Sequence, residues 1–287
     1  NTIDLAGVSL IFVWFLWFDG AGEWTLQSDV DNLSPGFSQI QIDEGTLITN
    51  DFNIDISQIN LFTANDAGLV LGNSVVTCNN LNFFNPSFTL DAGTSTINYR
   101  GSFFDGAGLT YYDFNFKGFF SPWAFINGSN RFNILTFDSL VQEVNFGFGE
   151  TQTIMDIIFN ANCTKRVTVR SDWQGRTAFL NKSLGVVNED YLNIRDIEVV
   201  GGAAFTSNNN IDMGNVINWT LNPSAPVNYY WIGDGGNWSD TLHWSASSGG
   251  PSAGCLPTDM DTVFFDDSSF TIGGQTVNLD VPAFCKT

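Results

Sequence analysis

The chain predicts an all-β protein: a β-solenoid (β-helix-like) body over residues 1–222, followed by a small tryptophan-rich β head over residues 223–287. Three observations predict it. No segment sustains apolar residues at i, i+3, i+4 and i+7 over three turns, whereas short alternating or continuous apolar runs recur between Asp- and Gly-marked turns. Turn-plus-strand units repeat: Phe-Asp-Gly-Ala-Gly occurs at 18–22 and 104–108, and a looser Asp-x-Gly-Thr unit closed by Ile occurs at 43–48 and 91–97. Repetition of this kind favours stacked coils over a sandwich. Finally, 27 Phe need a common interior, and a solenoid supplies one because the inward side chains of each coil sit above those of the next.

Taken in order, the elements begin with an apolar run over 8–18 broken only by Ser9. It is about half the length a membrane-spanning helix requires, so it reads as a buried strand pair with no direct membrane insertion. Strands are expected at 39–42, 46–49, 52–56, 69–71, 74–77, 87–90, 95–99, 110–116, 167–170, 177–180, 190–194 and 215–221. Asn and Gly at the intervening corners tolerate the positive φ that tight corners demand. Asn222-Pro223-Ser224-Ala225-Pro226-Val227 reads as a semi-rigid connector. Beyond it, Trp231, Trp238 and Trp244, at spacings of seven and six among Gly, Asn and Asp, are expected to build the core of the head.

With 10 Lys and Arg against 30 Asp and Glu, the formal charge of −20 repels nucleic-acid phosphates and anionic headgroups, so nucleic-acid binding is excluded. Only 14% of residues are charged, and Asn, Ser, Thr and Gly must supply much of the polar surface, as in secreted β-proteins. Four cysteines without a CxxC spacing fit an oxidising exterior. The chain starts at Asn1 without Met and ends at Thr287 within a motif, so it reads as an excerpt whose signal peptide or sorting domain would lie outside it.

Catalytic and ligand-binding patterns are weak. His243 is the single histidine, and its tryptophan neighbours point to a packed aromatic cluster rather than a general base or metal ligand. Asp259, Asp261, Asp266 and Asp267 are a candidate Ca²⁺ cluster, but the spacing matches no EF-hand loop, and solvated turn aspartates are the favoured alternative. Asp234 and Asp240 share that ambiguity. Asp105, Asp113, Asp172 and Arg170 are the nearest candidates for a polysaccharide-degrading β-helix enzyme, yet carboxylates fall near one another in any chain with 30 of them. Trp123 and Trp173, in loop-like contexts, are candidates for stacking on sugar rings, with capping of the solenoid side as the alternative.

The run Tyr230-Trp231-Ile232-Gly233-Asp234-Gly235-Gly236-Asn237-Trp238-Ser239-Asp240-Thr241-Leu242-His243-Trp244-Ser245 carries the strongest family signal. It resembles the opening of the long modules in giant cell-surface gliding-motility adhesins of Bacteroidetes (SprB-like adhesins). Segments 87–97, 104–112 and 190–196, with Gly201-Gly202-Ala203 and Asn218-Trp219, resemble the body of the same modules, while 11–18 and 119–148 match no motif of the family. The resemblance implies most of one module followed by the head of the next, exported by the type IX secretion system and displayed on the outer membrane. It also implies a disulfide between Cys255 and Cys285 in the head. Cys78 and Cys163 are either a second pair or buried thiols. Asp-Ser/Thr-apolar triplets resemble the O-glycosylation acceptor of Bacteroidetes and imply Ser139, Thr241 and Thr262 as glycan sites.

The expectation that follows is a non-enzymatic extracellular module without a required cofactor, acting as a stiff stalk. Its partners would be neighbouring modules of the same chain, the secretion and gliding machinery, and a surface polysaccharide or solid substratum. A carbohydrate-binding module and a polysaccharide-degrading enzyme are the rivals.

Overall fold

Short runs in which every second residue is apolar form strands with one buried side, and such strands need a partner sheet to cover them. In the computed structural model, which describes residues 2–3, 15–30, 38–61, 66–83, 87–258 and 260–281, they find it by winding. The chain is a β-solenoid of about nine turns, and the described residues contain no α-helix, only a 3₁₀ turn at Thr241–His243. Neighbouring coils pair in parallel: Gly68 pairs with Thr89 and Val75 with Thr96, each 21 residues on. Longer coils absorb their excess in loops, so Thr153 pairs with Asn181, 28 residues on.

Three faces result. The first stacks Phe15–Phe18, Gln39–Ile42, Gln58–Leu61 and Asn80–Phe83. Phe103–Asp105 packs beside the last of these and leads into Trp123–Asn127, Glu143–Phe146, Val167–Ser171, Leu192–Arg195 and Ala204–Asp212. The second face stacks Thr2–Ile3, Glu23–Leu26, Gly45–Ile48, Ala67–Val70 and Thr89–Asp91. The third is a nine-stranded ladder from Ile54–Asp55 to Val216–Ile217. Its longest members, Thr110–Phe116, Arg131–Phe137 and Thr151–Ile158, bend where the register skips Tyr112 and Asn133, and their opening residues take over from the second face.

The interior explains the phenylalanines. Tyr99 meets Phe116 edge-on at 5.5 Å along the third face, Phe116, Phe137 and Phe159 stack with ring centroids 5.4 and 5.1 Å apart, and Cys78 lies one coil before Tyr99. Ile54, Val76, Ile97, Phe114, Leu135 and Ile157 form a parallel inward column. Both copies of Phe-Asp-Gly-Ala-Gly occupy one kind of corner: Phe18 and Phe104 are buried at the end of first-face strands, and the chain then turns off that face. In the second copy the Asp105 carboxylate accepts from the Ala107 N–H at 3.0 Å, and Ala107 takes φ 52°. The looser repeat behaves differently. Asp43 precedes the second face and Asp91 ends it, so the two copies serve different corners. At Gly93 (φ 52°) a Cβ would lie 2.3 Å from Gly72 O, so stacked turns leave no room for a side chain there.

Most expected strands fall within a few residues of the observed ones, and 39–42 and 110–116 coincide with them. The expected strand at 190–194 is two, Val186–Asp190 and Leu192–Arg195, split by Tyr191 at φ 57°. Of the apolar run at the start, 15–18 is a strand with alternating burial, while 8–14 lies outside the described residues. The connector is partly strand, because Trp219–Pro223 pairs with Ala204–Asp212. Beyond it, Asn228–Trp231 pairs with Trp244–Ser245 and Thr262–Phe264 around a second apolar core of Tyr229, Trp231, Trp238 and Trp244.

The cysteines depart from expectation. Cys163, in the loop before Val167–Ser171, is bonded to Cys255 of the head, with Cα atoms 5.2 Å apart and a sequence separation of 92. Cys255 therefore does not pair with Cys285, which lies outside the described residues, and Cys163 does not pair with Cys78. The bridge fastens head to body rather than closing the head on itself. The pairing follows from which loops the solenoid brings together, not from order along the chain. Cys78 is a buried free thiol, and burial pushes its pKa up to about 12.

Candidate functional site

Side chains that alternate outward from the first face form register columns along the solenoid. One column runs Phe15, Gln39, Gln58, Asn80. Further along the face another runs Phe103, Phe125, Asn145, Arg170, with Trp123, Glu143 and Thr168 beside it. Parallel in-register pairing is what places like side chains one above another. The amides link up: Asn60 Nδ2 donates to Gln39 Oε1 at 3.2 Å, and Asn82 Nδ2 to Asn60 Oδ1 at 2.7 Å. Trp17 Nε1 donates to Asp43 Oδ2 at 2.8 Å, which holds the indole over the ladder's first coils.

Further along, Phe103 and Phe125 stack with centroids 4.5 Å apart and planes 10° apart. Phe103 is 70% exposed and Trp123 55%. Arg170 donates to Glu143 Oε1 at 2.5 Å and to Asn145 Oδ1 at 2.9 Å, so its charge is paired in the plane of the sheet. Arg195, next in the column, lies 3.2 Å from the buried carboxylate of Asp196. The face is thus aromatic and amide-rich, with its arginines neutralised.

Trp173 is elsewhere. It lies in the turn after Val167–Ser171, is 61% exposed, and meets Phe148 edge-on at 5.7 Å, with the Arg176 guanidinium 5.8 Å above the Phe148 ring. The structure therefore places the two candidate sugar-stacking tryptophans differently, Trp123 at the start of a first-face strand and Trp173 in a turn against Phe148, a residue the sequence did not single out. The signal for Phe103 and Phe125 was a register, which no local pattern displays.

The candidate enzyme residues also separate. Asp113 accepts from Asn133 Nδ2 at 2.9 Å on the third face, and Arg170 is engaged on the first. Asp105 and Asp172 lie near enough to Glu150, a residue sequence reasoning passed over, for their charges to act on it. Burial raises the Glu150 pKa, and the charges of Asp105 and Asp172 raise it further. A second carboxyl, Glu189, is pushed up to about 7, chiefly by burial and then by Asp156 and Asp190, against a lowering hydrogen bond from the Phe159 backbone.

In the head, Asp261 is buried and accepts from Val227 N at 2.8 Å, Thr258 N at 2.7 Å and Thr258 Oγ1 at 2.7 Å, which ties the connector to the head. Asp266 accepts from Ser268 N at 2.9 Å as a turn cap. Asp267 is in the same turn, and Asp259 lies outside the described residues. Among the described residues no three His, Cys, Asp or Glu side chains converge as metal ligands. His243 stacks on Trp231 at 4.6 Å and 2°, with Nδ1 2.6 Å from Ile232 O. Asp234 accepts from the Thr271 hydroxyl and backbone, bonds that lower its pKa, and Asp240 caps the 3₁₀ turn. Ser139 sits on an exposed turn, whereas Thr241 is half-buried in the 3₁₀ turn and Thr262 half-buried in a paired strand.

A groove of about 380 Å³ lies beside the disulfide, between Cys163, Thr164, Arg166 and Ile211 of the body and Leu256 and Pro257 of the head. Arg166 is committed within it, to Asn209 O at 2.6 Å and Ser224 Oγ at 3.3 Å. No helix among the described residues is long and apolar enough to cross a membrane. Comparison with protein families, with curated proteins and with solved structures finds no match for this chain.

Proposed function

We propose that the chain is a non-enzymatic extracellular module of a cell-surface gliding-motility adhesin, and that it acts as a stiff stalk. The observation that carries this is mechanical: a stack of about nine coils continues into a head that is covalently fixed to the body by Cys163–Cys255. With about 4.8 Å per strand, the nine-stranded face alone spans roughly 40 Å, and each coil is braced by its neighbours. A load applied beyond the head would pass through the disulfide into the body wall instead of stretching the connector. The acidic surface keeps neighbouring fibres soluble and apart. The resemblance of 230–245 to the module heads of gliding adhesins supplies the cellular setting, with type IX export and display on the outer membrane.

Antibody against the purified chain tests this on the source cells. It should decorate intact cells, and the label should disappear when type IX export is disabled. Label seen only after lysis would overturn the proposal.

A further inference from the structure

The turn between Thr110–Phe116 and Trp123–Asn127 carries residues that closing a turn does not require. The equivalent turn one coil on, between Arg131–Phe137 and Glu143–Phe146, begins with Asp138 and Ser139, polar residues that favour turns. The earlier turn instead presents Phe119 and Phe120, 66% and 62% exposed, with their rings edge to face at 4.9 Å. They are held there. Gly118 turns the chain at φ 62°, and a Cβ on it would lie 2.8 Å from Leu140 C, so the two turns are in contact. Pro122 O accepts from Gln142 N at 2.7 Å and fastens one turn to the other. The exposed Leu140 therefore sits on the turn that touches the one bearing the ring pair, and the exposed Trp123 follows Phe120 by three residues. Phe103 borders them through its stack on Phe125, which points to the same side of its strand as Trp123.

We propose that this corner is a self-association surface through which two copies of the chain pair side by side, each presenting the same patch to the other. Area is the first argument. Phe103, Phe119, Phe120, Trp123 and Leu140 together expose roughly 600 Å², taking about 200 Å² for a large side chain in full exposure. A patch of that size is at the upper end for a soluble monomer, and it approaches the ~800 Å² that each partner of a stable complex contributes. Charge is the second. A chain carrying −20 repels its own copies, so they meet most easily where that charge is cancelled locally. The carboxylates bordering the patch are paired, Asp138 with Lys117 at 3.3 Å and Glu143, beside Trp123, with Arg170 at 2.5 Å. Repulsion elsewhere on the surface then limits association to a pair and keeps fibres apart on their other sides. Shape is the third. Rings that meet edge to face within one copy offer both edges and faces to a second, as a two-fold interface between identical patches requires. The turns are already hydrogen-bonded to each other, so pairing demands little further ordering. None of this depends on the stalk reading.

Sedimentation velocity of the full chain over a range of concentrations tests this. The chain should be a dimer at about 100 μM and a monomer below about 1 μM, the weak end of the range for an interface of this size. Raising NaCl from about 20 mM to about 500 mM should tighten the dimer, because screening removes the repulsion between acidic chains and leaves the apolar contact. Phe120→Ser should raise the dissociation constant about tenfold, and Phe119→Asp with Phe120→Asp about a hundredfold or more. Trp173→Ser, equally exposed at another corner, should leave it unchanged. Thermal melts below about 1 μM should match the wild type for every variant, since these side chains lie outside the core. The proposal is overturned if the chain is monomeric at about 100 μM at both salt concentrations, or if added salt dissociates the dimer. It is also overturned if the double variant dimerises like the wild type, or if Trp173→Ser weakens the dimer as much as Phe120→Ser does.

Discussion

Phe137 shows what a single residue contributes to this fold. Its ring lies between Phe116 and Phe159, nearly parallel to both, at 5.4 and 5.1 Å, and is fully buried. Truncation removes contacts in two neighbouring coils at once, so Phe137→Ala should lower unfolding free energy by about 3–5 kcal/mol. Phe120→Ala, at an exposed position, should change it by less than about 0.5 kcal/mol in the same denaturant titration. Glu189 makes a prediction in pH. Its pKa is about 7 in the folded chain against an ordinary 4.5, so between those values the native state holds a proton that the unfolded state has released. Stability from this group is present at acid pH and is lost as pH rises from about 4.5 to about 7. Glu189→Gln should remove that slope and, at pH 8, stabilise the chain by on the order of 1–2 kcal/mol once partial exposure is discounted. Thermal melts of both forms from pH 4 to pH 8 check it, and parallel curves would contradict it.

At the scale of the element, the informative unit is the loop that carries Cys163. It leaves the third face after Thr151–Ile158, forms a small turn closed by Asn162 and Lys165, and reaches the head before the chain enters Val167–Ser171. A cross-link spanning 92 residues restricts the unfolded chain by about 4–5 kcal/mol of loop entropy, with native strain subtracting from it. Cys163→Ser, Cys255→Ser or mild reduction should therefore destabilise the chain by about 2–4 kcal/mol and speed proteolysis of the 224–227 segment, which lies outside any strand. Peptide mapping without reductant should recover Cys163 linked to Cys255, and Cys78 should resist alkylation until the body unfolds. Turn chemistry made individual strands legible, because Asn, Asp and Gly announce positive φ at Asn50, Asp51, Gly72, Gly93 and Gly108. It did not announce the strands Trp123–Asn127 and Glu143–Phe146. Those strands are held by register with the coils on either side rather than by their own pattern.

For the whole molecule, the solenoid turns a repetitive, acidic sequence into a wall with three faces. The third carries the longest ladder, while the first mixes aromatics with amides. Asp261 and Asp266 accept hydrogen bonds from backbone and hydroxyl donors of the chain itself. A chelator should accordingly shift the melting temperature by less than about 2 °C. A larger drop would mean that a cation bound only to the folded state contributes by mass action.

Several properties were set by residue types and their spacing alone. All-β character followed from the absence of helical periodicity, the interior from the abundance of Phe, and the head's core from Trp231, Trp238 and Trp244, all of which are buried. These are local or compositional facts, and short-range physics decides them. Which cysteines meet, which aspartates share a corner and which rings line up along one face were decided only by winding. Each depends on how many residues every loop adds to its coil, since that count sets which positions stack 21 or 28 residues apart. The repeated Asp-x-Gly-Thr unit illustrates the limit: the same Asp, Gly and Thr at 43–46 and 91–94 serve different corners because an Asp-x-Gly turn is compatible with either. Phe103 and Phe125 illustrate the converse, two residues with no shared local motif that the coil places face to face.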